Sequence, residues 1–177
     1  MLGRLPDPVE MFGVSFEALY TESMIMAVRP QHPLSKIRPT ISEIAGFPII
    51  LPLSGSSIRQ AAESFFISAG SALPRHQIST LSEAVARSLM HQSDGIWFTP
   101  YGVVASDVAE GVAAQLQIDT RSTNSAVGLS SLSEGPSRKL VGLFADRIRA
   151  LAAQMRTQRL DSQVPEIDNS PFLTLAK

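Results

Sequence analysis

Met24-Ile25-Met26-Ala27-Val28-Arg29-Pro30-Gln31-His32-Pro33-Leu34 is the stretch on which the fold turns. Its first five residues are an uninterrupted apolar run of strand length, bounded by a polar, proline-rich segment. Pro30 and Pro33 flank a Gln-His pair, and neither proline has a backbone N–H to give to a ladder. A buried strand therefore stops at a stiff exit, the pattern expected of a crossing between two lobes.

Outward from this strand, helix and strand signals alternate, which predicts an α/β layer structure with a mostly parallel sheet. Met1–Leu5 reads as the end of a strand, and Pro6-Asp7-Pro8 as a turn. Thr40-Ile41-Ser42-Glu43 has capping-box spacing and opens a short helix ended by Gly46. Pro48–Pro52 is a short apolar strand, followed by the loop Leu53–Ser57. Ser57-Ile58-Arg59-Gln60 is a second box, opening a helix with Ile58, Ala61, Ala62, Phe65 and Ala69 on one face and Gly70 at its end. His76–Thr80 reads as a strand. Thr80-Leu81-Ser82-Glu83 is a third box, and its helix runs to about Gln92 with Ala84, Val85, Leu89 and Met90 as the apolar side. Gly95–Phe98 is a buried strand and Gly102–Gly111 a short helix. Two strands, Leu116–Thr120 and Ala126–Leu129, flank the polar turn Arg121–Ser125. Pro136 suits the first position of a long helix reaching about Arg159, with apolar residues at 140, 144, 148, 151 and 155.

Composition narrows the function. The 177 residues are 44% hydrophobic and 18% charged, with a net charge of −1, so no overall basic field draws nucleic acid to the chain. There is no cysteine, which excludes disulfides, thiolate metal sites and a cysteine nucleophile. No secretory signal pattern precedes the first strand, and no apolar run approaches the ~20 residues of a membrane span. These features predict a cytoplasmic protein that does not enter a membrane.

Catalysis finds little support. His32, His76 and His91 lack metal-ligand spacing, and Ser54-Gly55-Ser56-Ser57 lacks the second glycine of a nucleophile elbow. No Walker loop or G-x-G-x-x-G occurs, and no cofactor or metal is expected. Arg138, Lys139, Arg147, Arg149, Arg156 and Arg159 surround the last helix instead of lining one stripe, which reads as a solvated surface.

Pro30-Gln31-His32-Pro33-Leu34 and Gly95-Ile96-Trp97-Phe98-Thr99-Pro100 together resemble the effector-binding part of LysR-type bacterial transcription regulators. That family shows a strand running into P-x-H-P-L and, later, a strand ending G-I-x-x-x-P. Gly3-Arg4-Leu5-Pro6-Asp7-Pro8 looks most like the protocatechuate-operon activators and the galactose-binding-protein regulators. The resemblance spans about residues 1–157. It implies a two-lobed, type 2 periplasmic-binding-protein-like fold, with residues 36–132 forming the second lobe. Residues 1–35 and 133–160 would form an incomplete first lobe, and 161–177 a C-terminal tail. The initial strands of that lobe and the family's winged helix-turn-helix have no counterpart in this sequence, so DNA contact and homo-oligomer formation would belong to a longer parent protein. A stand-alone solute-binding protein, or a regulator remnant that senses nothing, are the rival readings.

In an open parallel sheet, ligands bind beyond the carboxyl ends of the strands. That rule selects Ser54, Gly55, Ser56 and Ser57, where helix N–H groups and serine hydroxyls favour an anion. One of Ser56 and Ser57 also caps the helix. Thr80, Phe98, Thr99 and Pro100 follow at two further strand ends; Thr80 reads first as a cap and Phe98 first as core. Arg4 could grip a carboxylate or stand exposed in a turn. Arg59 is a cation in a first helical turn, a placement that suits an anionic partner. The ligand implied is a small carboxylate or sugar-derived effector.

Overall fold

The computed structural model describes residues 1–5, 12–132 and 139–162. The Pro6-Asp7-Pro8 turn, the role of Pro136 and the tail beyond residue 162 lie outside the described residues. Two compact units form, Met1–Glu134 and Gly135–Lys177.

The first unit holds two sheets. The smaller contains β1 (Leu2–Arg4), β8 (Ser125–Leu132) and β2 (Val14–Glu22), in that order and antiparallel throughout. The larger runs β5 (Gln77–Ser79), β4 (Ile49–Leu51), β6 (Ile96–Pro100), β3 (Met24–Val28), β7 (Ala114–Gln115). β4 is parallel to both β5 and β6, whereas β3 is antiparallel to β6 and β7. Helices α1 (Ile41–Ile44), α2 (Ser57–Ser68), α3 (Glu83–Gln92) and α4 (Tyr101–Ala109) connect the strands of the larger sheet.

All five residues of β3 are buried because the strand is covered on both faces. Met24, Met26 and Val28 join Ile49, Leu51, Ile96 and Phe98 beneath Ala62, Phe65 and Phe66 of α2. The alternate residues Ile25 and Ala27 join Ile50 and Trp97 beneath Ala86 and Met90 of α3 and Val104 of α4. Fully burying an aliphatic or aromatic side chain of this kind contributes about 1.5–3 kcal/mol, so the double-sided packing of β3 makes it the keel of the sheet.

The proline exit is not the crossing between lobes. Met24, the first residue of β3, pairs with Pro100, the last of β6, so the crossing lies at Glu22-Ser23-Met24. Arg29–Leu34 lies at the opposite end of the sheet. There Arg29 donates to Asp94 through Nε (3.0 Å) and an Nη (2.7 Å). His32 Nδ1 accepts from the Leu34 amide at 3.0 Å, which leaves the proton on Nε2 to face the Asp94 carbonyl at 3.3 Å. The prolines end β3 as expected, but the chain turns back over the same lobe into α1.

His32 is buried, and burial holds its pKa below 6.5, with Asp94 opposing the shift. The unfolded chain therefore binds a proton more readily than the folded one. Stability is full above about pH 6.5 and falls as pH drops through that value toward the lower folded one. Urea midpoints at about pH 7.5 and about pH 5.5 test this. The wild type will lose more stability than His32→Gln across the interval; equal losses would contradict it.

Several local expectations shift. The Thr40–Glu43 box is present in both directions, with the Thr40 amide on Glu43 Oε2 at 2.7 Å. The cap of α2 is Ser56, not Ser57, and that of α3 is Ser82, not Thr80. The inner face of α3 is carried by Ala86 and Met90, which are buried, while Val85 is 48% exposed. Ala69 caps the carboxyl end of α2 and is exposed; Phe66 takes the inward position. β7 lies two residues before the strand expected at Leu116–Thr120. Leu116 still donates to the Met26 carbonyl, after which the chain turns into a 3-10 helix, Arg121–Thr123.

The strands also divide differently from the ranges 1–35 with 133–160 and 36–132. β3 belongs to the larger sheet, and β8 is the centre of the smaller one. In the second unit, α5 (Lys139–Ser162) exposes Leu140, Val141, Leu143 and Phe144. Among the described residues no helix is long and apolar enough to cross a membrane.

Candidate functional site

Both crossings between the sheets sit at one end of the larger sheet. Met24 starts β3 there, and its amide donates to Thr123 Oγ1 at 2.9 Å, just before β8 begins. Because β6 ends beside Met24 and β4 is parallel to β6, the carboxyl ends of both strands face the smaller sheet. The starts of α2, α3 and α4 stand at this same end.

At α2, the Ser56 hydroxyl accepts from the Arg59 amide (3.2 Å) and donates to the Leu53 carbonyl (3.1 Å). Ser56 is thereby committed to the cap. Gly55 precedes it at φ +87, a conformation suited to glycine. Ser54 and Ser57 are exposed, and their hydroxyls have no partner among the described residues. The Ser57 and Ile58 amides precede the first intrahelical bond, so they remain available to an anion together with the helix dipole.

At α3, Thr80 Oγ1 accepts from the Ser82 amide at 3.1 Å, forming the turn before the cap. At β6, Thr99 is 2% exposed, and its hydroxyl has no partner among the described residues. Pro100 is half-buried and serves as the N-cap of α4 without a side-chain bond. Ser54, Gly55, Ser56, Ser57, Thr80, Thr99 and Pro100 thus share the carboxyl end of the sheet.

Three other sequence candidates stand elsewhere. Phe98 is 1% exposed and packs its ring 6.2 Å from that of Phe65, so it is core and not cleft wall. Even spacing along β6 turns it toward α2 and away from the face of Thr99. Arg59 is drawn along its helix to Glu63 (2.8 Å) and across to Gln77 at the start of β5 (2.6 Å). Arg4 lies in the hinge, where its guanidinium donates to the Thr123 carbonyl (2.9 Å) and the Glu22 carbonyl (3.4 Å). Its partial burial lowers the guanidinium pKa, with Glu22 and Tyr20 opposing.

The sequence reading missed the hinge itself. Thr120 Oγ1 donates to the Met24 carbonyl (2.6 Å), and Thr123 Oγ1 to the Thr120 carbonyl (2.6 Å). Ser23 Oγ donates to Asn124 Oδ1. Glu22 is also buried, and its Oε1 accepts from the Gly102 amide at 2.8 Å. Nothing local connects Glu22 with a glycine 80 residues later.

The model of the LysR substrate binding domain matches residues 2–153. The chain belongs to the LysR substrate-binding domain family. Among curated relatives of this LysR domain, the HTH-type transcriptional regulator PcaQ of Agrobacterium fabrum is 35% identical over 158 residues, 88% of this chain and 50% of that protein. The uncharacterized HTH-type transcriptional regulator YdcI of Escherichia coli is 31% identical over 128 residues, 72% of this chain and 42% of that protein. The chain spans about half the length of the curated relatives it matches. The regulatory domain of Synechocystis CcmR, solved in complex with 2-PG, superposes with a TM-score of 0.70 at 18% identity, over 85% of this chain and 72% of that one. The effector-binding domain of QuiR in complex with shikimate gives 0.68 at 17% identity, over 85% and 70%. The two-sheet arrangement of the first unit is accordingly the type 2 periplasmic-binding-protein-like fold of LysR regulatory domains.

Proposed function

We propose that this LysR domain senses a small carboxylate metabolite at the carboxyl end of its larger sheet, as the ligand-responsive part of a longer transcription regulator. The observation that carries the reading is the start of α2. Two unengaged amides and two free serine hydroxyls converge there on solvent, at the end of the sheet where both hinges lie. A carboxylate placed there accepts hydrogen bonds from groups that otherwise meet only water, and it stands at the positive end of the helix dipole.

The ligand biases the arrangement of the two sheets about the paired crossings, and this shift in population is the signal. DNA contact falls to a winged helix-turn-helix elsewhere in the parent protein, whose relatives are named HTH-type regulators, and the signal passes through a homo-oligomer. Acids of the carboxymuconate type, from aromatic-ring degradation, are the first candidates, given the resemblance to protocatechuate-operon activators. Sugars of the galactose type are second. Shikimate, named with the QuiR domain, is itself a carboxylate. No bond-making step is assigned to the site, because among the described residues neither a nucleophile–base pair nor a set of convergent acids faces it.

Titration calorimetry with a panel of these acids and sugars tests the proposal. Ser57→Ala will weaken carboxylate binding several-fold and leave the melting temperature nearly unchanged. Ser56→Ala will lower stability by about 1 kcal/mol, as expected for loss of an N-cap. Binding that is absent for every carboxylate, or indifferent to Ser57, would defeat the proposal.

A further inference from the structure

Of the three helix starts at the candidate site, that of α4 is already occupied by a side chain of the protein itself. Glu22 is the last residue of β2, in the smaller sheet, and is 7% exposed. Its carboxylate crosses to α4, in the larger lobe, and receives the Gly102 amide at 2.8 Å. Gly102 is the second residue of a nine-residue helix whose N-cap, Pro100, has no side-chain cap bond. An acidic group at the first turn of a helix is favoured both by the free amide and by the dipole. Here the acid comes from a strand of the opposite sheet instead of from the helix's own cap.

The approach is close, so that a side chain at Gly102 would move the carboxylate. A Cβ built on Gly102 would lie 2.9 Å from Glu22 Oε1. Beside it, the Tyr101 amide reaches the Ser23 carbonyl at 3.5 Å, and an Arg4 Nη reaches the Glu22 carbonyl at 3.4 Å. Glu22 is therefore held through its backbone by the smaller sheet and through its carboxylate by the larger lobe, within two residues of the crossing into β3.

We propose that Glu22 is an interlobe latch, a positioning residue whose bond to Gly102 N sets the resting angle between the two sheets. This inference stands on the hinge geometry and does not depend on the ligand reading. It also accounts for the difference between the helix starts at the site: α4 is neutralised internally, and α2 is open.

The test uses the full chain, whose lack of cysteine allows clean labelling. Spin labels are placed at Ser15→Cys on β2 and Ser64→Cys on α2, both exposed, and the interlobe distance distribution is measured for three variants. Glu22→Ala will shift or broaden the distribution by several ångströms. It will also speed amide exchange in the segment 101–104 about tenfold or more, as loss of a charge-assisted bond requires. Gly102→Ala, which pushes on the latch from the other side, will reproduce the distance change. Glu22→Gln keeps an acceptor and will lie between. A merely structural role would lower the melting temperature and leave the distances of the folded molecules alone. Wild-type distances in both Glu22→Gln and Gly102→Ala, with unchanged exchange at 101–104, would overturn the latch even if Glu22→Ala does not fold.

Discussion

Gly128→Ala will lower stability by about 3 kcal/mol or more, at the upper end of what overpacking costs. Gly128 lies in the middle of β8, paired with Gly3 on one side and Ala18 on the other. Its Cβ would stand 2.0 Å from the Glu17 carbonyl oxygen and 2.8 Å from the tip of the Phe16 ring. The first obstacle is backbone, so no side-chain rotation relieves it. The β2–β8 ladder must separate at the point where its register already shifts, between Ala18 and Tyr20. Because β8 lies between β1 and β2, the smaller sheet loses its centre. A thermal melt followed by circular dichroism checks this; a curve within about 0.5 kcal/mol of wild type would be inconsistent with the packing described.

Thr123→Val will cost about 1–3 kcal/mol, because it leaves the buried Met24 amide without an acceptor while the Thr120 carbonyl keeps the Thr123 amide at 2.9 Å. Thr123 is 5% exposed. Its hydroxyl accepts from the Met24 amide and donates to the Thr120 carbonyl, so one oxygen ties the outgoing crossing to the returning one. Valine has nearly the same shape, which isolates the polar contribution from packing. Thr123→Ser keeps the hydroxyl and will retain most of the stability. Urea unfolding of the pair decides the matter: a loss for valine no greater than that for serine would contradict the role given to the hydroxyl.

Much of the larger sheet was legible because its signals are local. The apolar runs at residues 24–28, 48–52 and 95–98 each became strands, since a strand buried on both faces must be apolar throughout. The Thr40–Glu43 box was legible for the same reason, both of its bonds lying within one turn. β2 carries a weaker signal of the same kind: Val14, Phe16 and Ala18 alternate with polar residues in the period of a one-sided strand. The caps of α2 and α3 were misplaced because runs such as Ser54–Ser57 offer several competent hydroxyls within a few residues. Only the loop geometry selects Ser56 and Ser82.

The candidate site divides in the same way. Ser54–Ser57 and Thr80 come just after strand ends, and Thr99 and Pro100 close β6, so chain order alone places them at the carboxyl end of the sheet. Arg4, Glu22, Thr120 and Thr123 form the hinge through partners about 20 to 120 residues away, and no spacing rule reaches so far. The proline exit misled because a strand end looks alike at either end of a sheet. Only the Met24–Pro100 register shows which end faces the other lobe.

A small carboxylate bound at the start of α2 will perturb the amides around it. Amide chemical shifts recorded during titration with the carboxylate panel test this binding most directly. Saturable shifts centred on Gly55, Ser57 and Ile58, with smaller ones at Thr99 and the Ser23–Met24 crossing, are expected. Shifts confined to Pro30–Lys36 at the opposite end of the sheet, or none with any carboxylate, would contradict it.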